Sequence, residues 1–289
     1  MDVQPTYSDL RYADASPVQT LDVYLPDQGE APRPLVVIIH GGGFMIGDKR
    51  EDITAIPALL GRGYAIASTG YRLSGEAAFP AAVQDCKAAL RWLRVHAGDY
   101  GFDPTRIALW GASAGGHLAS LLGTTGDQAT LFDATSDPSV DASVAAVISW
   151  FGSSRLASMD EHDRQRPPTG EPMWDPPWGT PHDHPDSPAS RWLGAPVQSV
   201  PELSAAADPA TYLPAAHAIP AFLLVHGDGD HLVPHLQSVV LAEALAAHGA
   251  DVDLRILPGH GHGGPGWVEV QIDASIDWLD RVLGRPVRE

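Results

Sequence analysis

Ser113 lies among small residues where an apolar run ends, in the stretch "RIALWGASAGGH" of residues 106–117. Gly111 and Gly115 flank it two positions away and give the spacing G-x-S-x-G. After a strand and at the start of a helix, that spacing bends the chain sharply enough to lift a serine hydroxyl clear as a nucleophile. The bend brings strand and helix almost into contact, so only tiny residues fit at the two glycine positions. A helix opening beneath the serine also aims its positive end at the site and favours developing negative charge. Alone, the stretch is equally compatible with a glycine-rich turn that does no chemistry.

Three further stretches supply the partners such a serine needs. "HGGGF", residues 40–44, follows the apolar run "LVVII". Its glycines leave backbone N–H groups uncovered, and two of them can join the N–H of Ala114 in holding an oxyanion. "HGDGDHLVP", residues 226–234, puts acidic residues on a loop past a strand. The spacing G-x-x-D-x-x-V-P selects Asp230 to orient a histidine. Asp228 is assigned to the turn, His226 to a structural strand end, and His231 to a solvent-facing loop. "PGHGHGG", residues 258–264, offers His260 and His262 as the general base. Both follow the serine and the acid, in the order Ser…Asp…His. The reading favours His262 and leaves His260 open.

These residues must be positioned by elements that are also visible. "TLDVYLP" (20–26) reads as an edge strand, and "PLVVIIH" (34–40) as a short buried one. Residues 53–62 read as a helix before the strand "YAIAST". A second helix runs from Pro80, suited to a first turn, to about His96. The helix after Ser113 is predicted to end at Gly123. "VAAVISW", "AFLLVHG" and "DVDLRILP" are strands. "LQSVVLAEALAAHG" is a helix stopped by Gly249, and "EVQIDASIDWLDRVL" is the closing helix. The alternation predicts an α/β fold in one domain over residues 1–289, with a central, mostly parallel sheet covered by helices on both faces. Residues 152–201, rich in Pro, Asp, His and Trp, are too long for an ordinary connection and read as a lid-like insertion. Trp174, Trp178 and Trp192 are expected to pack against something, and Phe44 and Trp150 to lie beside the substrate pocket under the lid.

Composition excludes other classes. With 44% hydrophobic residues the chain can bury a core. Its net charge of −18, with no cluster of Lys and Arg, argues against nucleic acid or anionic lipid as a partner. Apolar runs stop far short of the ~20 residues of a membrane span. The start has neither a basic segment nor an apolar one, which predicts a cytoplasmic protein. Cys86 is the single cysteine and reads as a packed side chain. "HDH" at 182–184, near Asp175 and Asp186, has no third ligand spacing, so no metal is expected. No phosphate loop or dinucleotide fingerprint appears, so no cofactor is expected. A homo-oligomer is left open.

Taken together, the chain resembles the α/β-hydrolases. More narrowly, it resembles esterases and lipases with an HGGG motif, with hormone-sensitive-lipase-like and feruloyl-esterase-like (BD-FAE) carboxylesterases nearest. The resemblance rests on "HGGGFMIGDK" (40–49), "YRLS" (71–74), "FPAAVQDCKAALRWLR" (79–94), "GASAGGHLA" (111–119), "SPASRWLG" (187–194) and "VHGDGDHLVP" (225–234). It implies Ser113 as nucleophile, Asp230 as orienting acid and His262 as base, with Gly42, Gly43 and Ala114 as oxyanion donors. The implied activity is cofactor-free hydrolysis of small carboxylic esters, with short-to-medium acyl, acetyl or hydroxycinnamoyl groups. An amidase of the kynurenine formamidase type on the same residues is the alternative. A non-catalytic binding module is disfavoured, because every catalytic part is present.

Overall fold

The computed structural model describes residues 3–29, 31–51, 53–126, 128–133, 136–165, 178–264 and 267–284. Eight strands form one sheet: β1 Tyr7–Arg11, β2 Thr20–Tyr24, β3 Arg33–Ile39, β4 Ala65–Thr69, β5 Phe102–Ala112, β6 Ala146–Trp150, β7 Ala221–Gly227 and β8 Val252–Leu257. The helices are α1 Ile56–Gly61, α2 Ala81–Val95, α3 Ala97–Tyr100, α4 Ala114–Thr125, α5 Met159–Arg164, α6 Pro188–Leu193, α7 Pro201–Ala206, α8 Leu236–Ala247 and α9 Trp267–Leu283. Strand order is β1-β2-β4-β3-β5-β6-β7-β8. The first two strands are antiparallel and the other six run parallel.

The inner strands are continuous apolar runs because both faces are covered. Leu35, Val37 and Ile39 of β3 share one core with α2, α4 and α8. Val36 and Ile38 point the other way, towards α1 and α9. The alternation of the strand thus feeds two cores at once.

Two expectations are corrected. Residues 20–26 do not form the edge of the sheet, because β1 lies outside β2. β1 is polar and largely exposed, its pairing breaks between Tyr7 and Leu10, and Asp9 has φ 55°. A short, charged, irregular strand suits a sheet edge and carries little apolar signal. Asp22 of β2 is consequently buried. It accepts from Arg50 Nε at 2.9 Å and from the backbone N–H of Asp9 at 2.7 Å.

The second correction concerns α4, which continues through Gly123 to Thr125. Gly123 is no stop signal. It is the point where the helix presses on the sheet, and a β-carbon there would lie 2.6 Å from Val147 Cγ2 and 2.9 Å from the Phe222 ring. Gly123→Val is therefore expected to lower stability by about 1–3 kcal/mol through overpacking. A denaturant midpoint equal to that of the wild type would contradict this contact.

Candidate active site

The parallel strands all end on one side of the sheet. The chain leaves β3 towards β4 on one flank, then returns to β5 on the other. Loops that diverge in this way open a crevice beyond the strand ends, where ligands bind in open α/β sheets. Ile39 of β3 is in register with Gly111 of β5, so the HGGG stretch and Ser113 leave the sheet side by side.

Ser113 occupies φ 55°, ψ −121°, between β5 and α4. The turn is held by its N–H, which donates to Trp150 O at 2.8 Å, and by its carbonyl, which accepts from His117 N at 3.0 Å. The glycines around it have the roles their spacing predicts. A β-carbon on Gly111 would strike the carbonyl of Gly115, and one on Gly115 would strike the carbonyl of Ile39.

His262 Nε2 lies 2.9 Å from Ser113 Oγ, and its Nδ1 lies 2.6 Å from Asp230 Oδ2. A carboxylate can only accept, so the proton sits on Nδ1 and Nε2 accepts from the serine hydroxyl. The ring also meets Phe151 edge-on, centroids 4.6 Å apart. His260 is exposed, and its backbone carbonyl accepts from Gly229 N at 2.9 Å. Asp228 Oδ1 takes the N–H of Gly259 at 2.6 Å, away from the serine. His231 is half-buried, not solvent-facing.

Asp230 is completely buried and accepts four hydrogen bonds. Oδ1 takes the N–H groups of Leu232 and Val233, both at 2.8 Å. Oδ2 takes His262 Nδ1 and, at 3.1 Å, His226 Nε2. Burial pushes this carboxyl up. The charge of His262 and the hydrogen bonds from His226 and His262 outweigh it and hold Asp230 well below the usual carboxylate range. His226 Nε2 also donates to Val233 O at 2.9 Å, so Nδ1 accepts from Ser238 Oγ–H at 2.7 Å. Sequence alone assigns His226 a structural strand end. It is a direct partner of Asp230, a contact that the i, i+4 spacing alone does not reveal.

Gly42 and Gly43 have φ 95° and 58°. Among the described residues, their N–H groups and that of Ala114 donate to no protein atom. The loop that carries them is clamped from behind. Tyr71 O–H donates to His40 O at 2.9 Å, and its ring stacks on His40 at 4.2 Å. Ser74 N donates to Phe44 O at 2.7 Å. Lys49 Nζ reaches Asp9 Oδ1 at 2.6 Å and Thr20 Oγ1 at 3.0 Å. Tyr71 and Ser74 stand in the "YRLS" stretch, whose composition gave no hint of this clamp.

Two cavities meet at Ser113. One, of about 420 Å³, is lined by Gly42, Trp110, Trp150, Phe151, His262 and Ile272 among others. The other, of about 40 Å³, is lined by Ala114, Phe44, Leu156, Met159 and His182 among others. Phe44 and Trp150 thus face different cavities. Phe44 stacks on Trp192 at 4.0 Å, and Trp150 Nε1 donates to Ser275 Oγ at 3.2 Å. Of the three tryptophans expected to pack, Trp192 is fully buried, Trp178 lines both cavities, and Trp174 lies outside the described residues. The "HDH" stretch is tied down by Asp160, whose carboxylate accepts from His182 N at 2.7 Å and Asp183 N at 3.0 Å.

A mostly parallel sheet wrapped by helices, with a strained serine at the turn between β5 and α4, defines the α/β-hydrolase fold. Within it the chain belongs to the BD-FAE family, whose profile matches residues 21–245. It is similar to Esterase LipC of Mycobacterium tuberculosis, 28% identical over 86% of this chain and 57% of that protein. It is also similar to Esterase LipI of the same organism, 39% identical over 41% of this chain and 40% of that protein. The chain spans about half the length of these curated relatives. Among solved structures, a truncated form of a carbohydrate esterase from gut microbiota superposes with a TM-score of 0.82 at 28% identity, covering 98% of this chain and 99% of that one.

One turn beyond Ser113, buried His117 accepts from Ser153 Oγ at Nδ1 and donates from Nε2 to Ala207 O, both at 2.9 Å. Burial pushes its pKa down to about 4, against the opposing charge of Asp208 and those hydrogen bonds. Below an unfolded value of ~6.5 the unfolded chain binds a proton here that the folded chain refuses. Stability is full above that pH and is lost as pH falls towards about 4. The loss is worth roughly 3 kcal/mol at most. Burial lowers His162, His182 and His235 as well, so several groups share the slope. Denaturant midpoints at pH 7.5 and 4.5 are expected to converge in His117→Gln relative to the wild type. An unchanged pH slope would remove His117 from the account.

Proposed function

We propose that the chain is a serine carboxylesterase acting on small carboxylic esters of short-to-medium acyl groups. One observation carries the reading. The continuous contact from Ser113 through His262 to buried Asp230 stands beside three N–H groups with no acceptor among the described residues. The names of the relatives, esterases among them, support the same class.

In this reading His262 Nε2 takes the Ser113 proton while Oγ bonds to the ester carbonyl carbon. Negative charge moves onto the carbonyl oxygen, held by the N–H groups of Gly42, Gly43 and Ala114 at the positive end of α4. As the tetrahedral centre collapses, the carbon–oxygen bond to the alcohol breaks and His262 returns its proton to the departing oxygen. Water then attacks the acyl-enzyme, giving a proton to His262. Collapse releases the acid and returns that proton to Ser113 Oγ. Asp230 stays ionised throughout and holds the imidazole in the tautomer that faces the serine.

The described parts of residues 152–201, namely 152–165 and 178–201, form in this reading a cover for the site within a single domain, and residues 166–177 of that insertion lie outside the described residues. Buried Leu156, Met159, Trp192 and Leu193 support a packed cover.

Ser113→Ala is expected to lower kcat on p-nitrophenyl acetate by about 10⁴-fold or more while thermal unfolding is preserved. A fluorophosphonate should add one phosphonyl group to the wild type, at Ser113 by peptide mass, and none to the variant. Full turnover by the variant, or labelling elsewhere, would overturn the assignment.

A further inference from the structure

The two cavities at Ser113 differ in one respect that assigns them. His262 lines the large one and does not line the small one. Ala114 lines the small one and not the large one, and Ser113 and Gly43 border both. In an acyl transfer at Ser113 the carbonyl oxygen faces the backbone donors. The departing alcohol oxygen must lie within reach of His262 Nε2, which protonates it. The acyl chain takes the direction that remains. The alcohol therefore belongs in the large cavity and the acyl group in the small one.

We infer that the enzyme selects esters of short acyl groups, of acetyl to propionyl size, with large apolar or aromatic alcohols. Met159 and Leu156 set the acyl limit. This deepens the carboxylesterase reading and rests on it. Cavity size supports the limit, since the small cavity, of about 40 Å³, offers about a tenth of the room of the large one, of about 420 Å³. The walls are firm. Phe44 is fixed by its stack on Trp192, and Leu156, Met159, Ala189 and Val233 are all buried in the core. Met159, unbranched and at the start of α5, is a wall residue whose truncation opens room. The large cavity has Trp110, Trp150 and Phe151 along one side, surfaces suited to an aromatic alcohol. Trp178 stands between the two spaces. It lines both, and a β-carbon on Gly43 would lie 3.1 Å from its Cη2.

Two isomeric esters with their halves exchanged test the assignment directly: phenethyl acetate and methyl 3-phenylpropanoate. They contain the same atoms and both release unactivated alcohols. The wild type is expected to favour phenethyl acetate in kcat/KM by about 10-fold or more, the scale of one excess methylene in a closed pocket. Met159→Ala should shift that ratio by about 10-fold towards the phenylpropanoate, and Leu156→Ala should shift it the same way. If neither variant folds, the wild-type ratio decides alone. Equal rates on the two isomers, or preference for methyl 3-phenylpropanoate, would overturn the acyl assignment and leave the carboxylesterase reading standing. A folded variant with an unchanged ratio would remove its residue from the acyl wall. A wild type that cleaves neither isomer nor p-nitrophenyl acetate would overturn both readings.

Discussion

The backbone at Gly115 lies directly against the end of β3, and everything else at the site depends on that contact. A β-carbon on Gly115 would collide with the Ile39 carbonyl and lie 2.7 Å from that of His40. Only because the collision is avoided can the first turn of α4 sit beside the loop that leaves β3. Ala114 and Gly43 then border the small cavity, Gly42 and Gly43 the large one, and Ser113 borders both. Gly116 extends the constraint to the next strand, since its β-carbon would lie 2.6 Å from Ser149 Oγ of β6. The proposed oxyanion cradle is in this sense a packing result. Two loops distant in sequence come together because their strands are neighbours in register.

That geometry is braced by buried charge. Asp85 of α2 is fully buried and accepts Arg72 Nε at 2.8 Å, Arg72 Nη2 at 2.7 Å and Gln19 Nε2 at 2.7 Å. Arg72 follows Tyr71, whose hydroxyl clamps the glycine loop, so the ion pair fixes the clamp to the helix. Lys49 and Arg50 tie the far end of the same loop to Asp9 of the edge strand β1 and to buried Asp22 of β2 beside it. Removing one member of a buried pair typically costs about 3–5 kcal/mol, because it strands the other charge. Such pairs need not add net stability to act as registers. Here they hold the ends of the glycine-rich loop that carries His40 and Phe44.

Much of this was legible in the sequence, and the limits are physical. Six parallel strands and the longer helices follow from apolar periodicity, and the residues brought together at Ser113 lie in short motifs of fixed order. Local pattern ran out where a neighbour decides. β1 is polar because it is an edge, so it carries no apolar signal of a strand, and the sequence pattern places the edge at β2 beside it. Gly123 resembles a helix stop until the sheet packed against it is seen. His260 and His262 have nearly the same local chemistry. They are separated by where the chain points them, one to solvent and one to Asp230. Tyr71 and His226 act through contacts that no local spacing announces.

The same limit explains a feature that sequence conceals almost completely. Three non-glycine residues at the site hold positive φ: Ser113 at 55°, Phe44 at 62° and Phe151 at 40°. Each such residue costs of order 1–3 kcal/mol and persists only where its surroundings over-determine it. Those surroundings are present for all three. Ser113 N donates to Trp150 O, Phe151 N donates to Val225 O at 2.7 Å, and the Phe44 carbonyl accepts from Ser74 N. Each strained residue therefore borrows a bond from a neighbouring strand or loop, and each places a side chain that glycine could not supply. One is the hydroxyl facing His262, one the ring against His262, and one a wall of the small cavity. Glycine advertises positive φ in a sequence, whereas serine and phenylalanine do not. The strain gathers where side-chain chemistry and an unfavourable backbone are needed at the same residue.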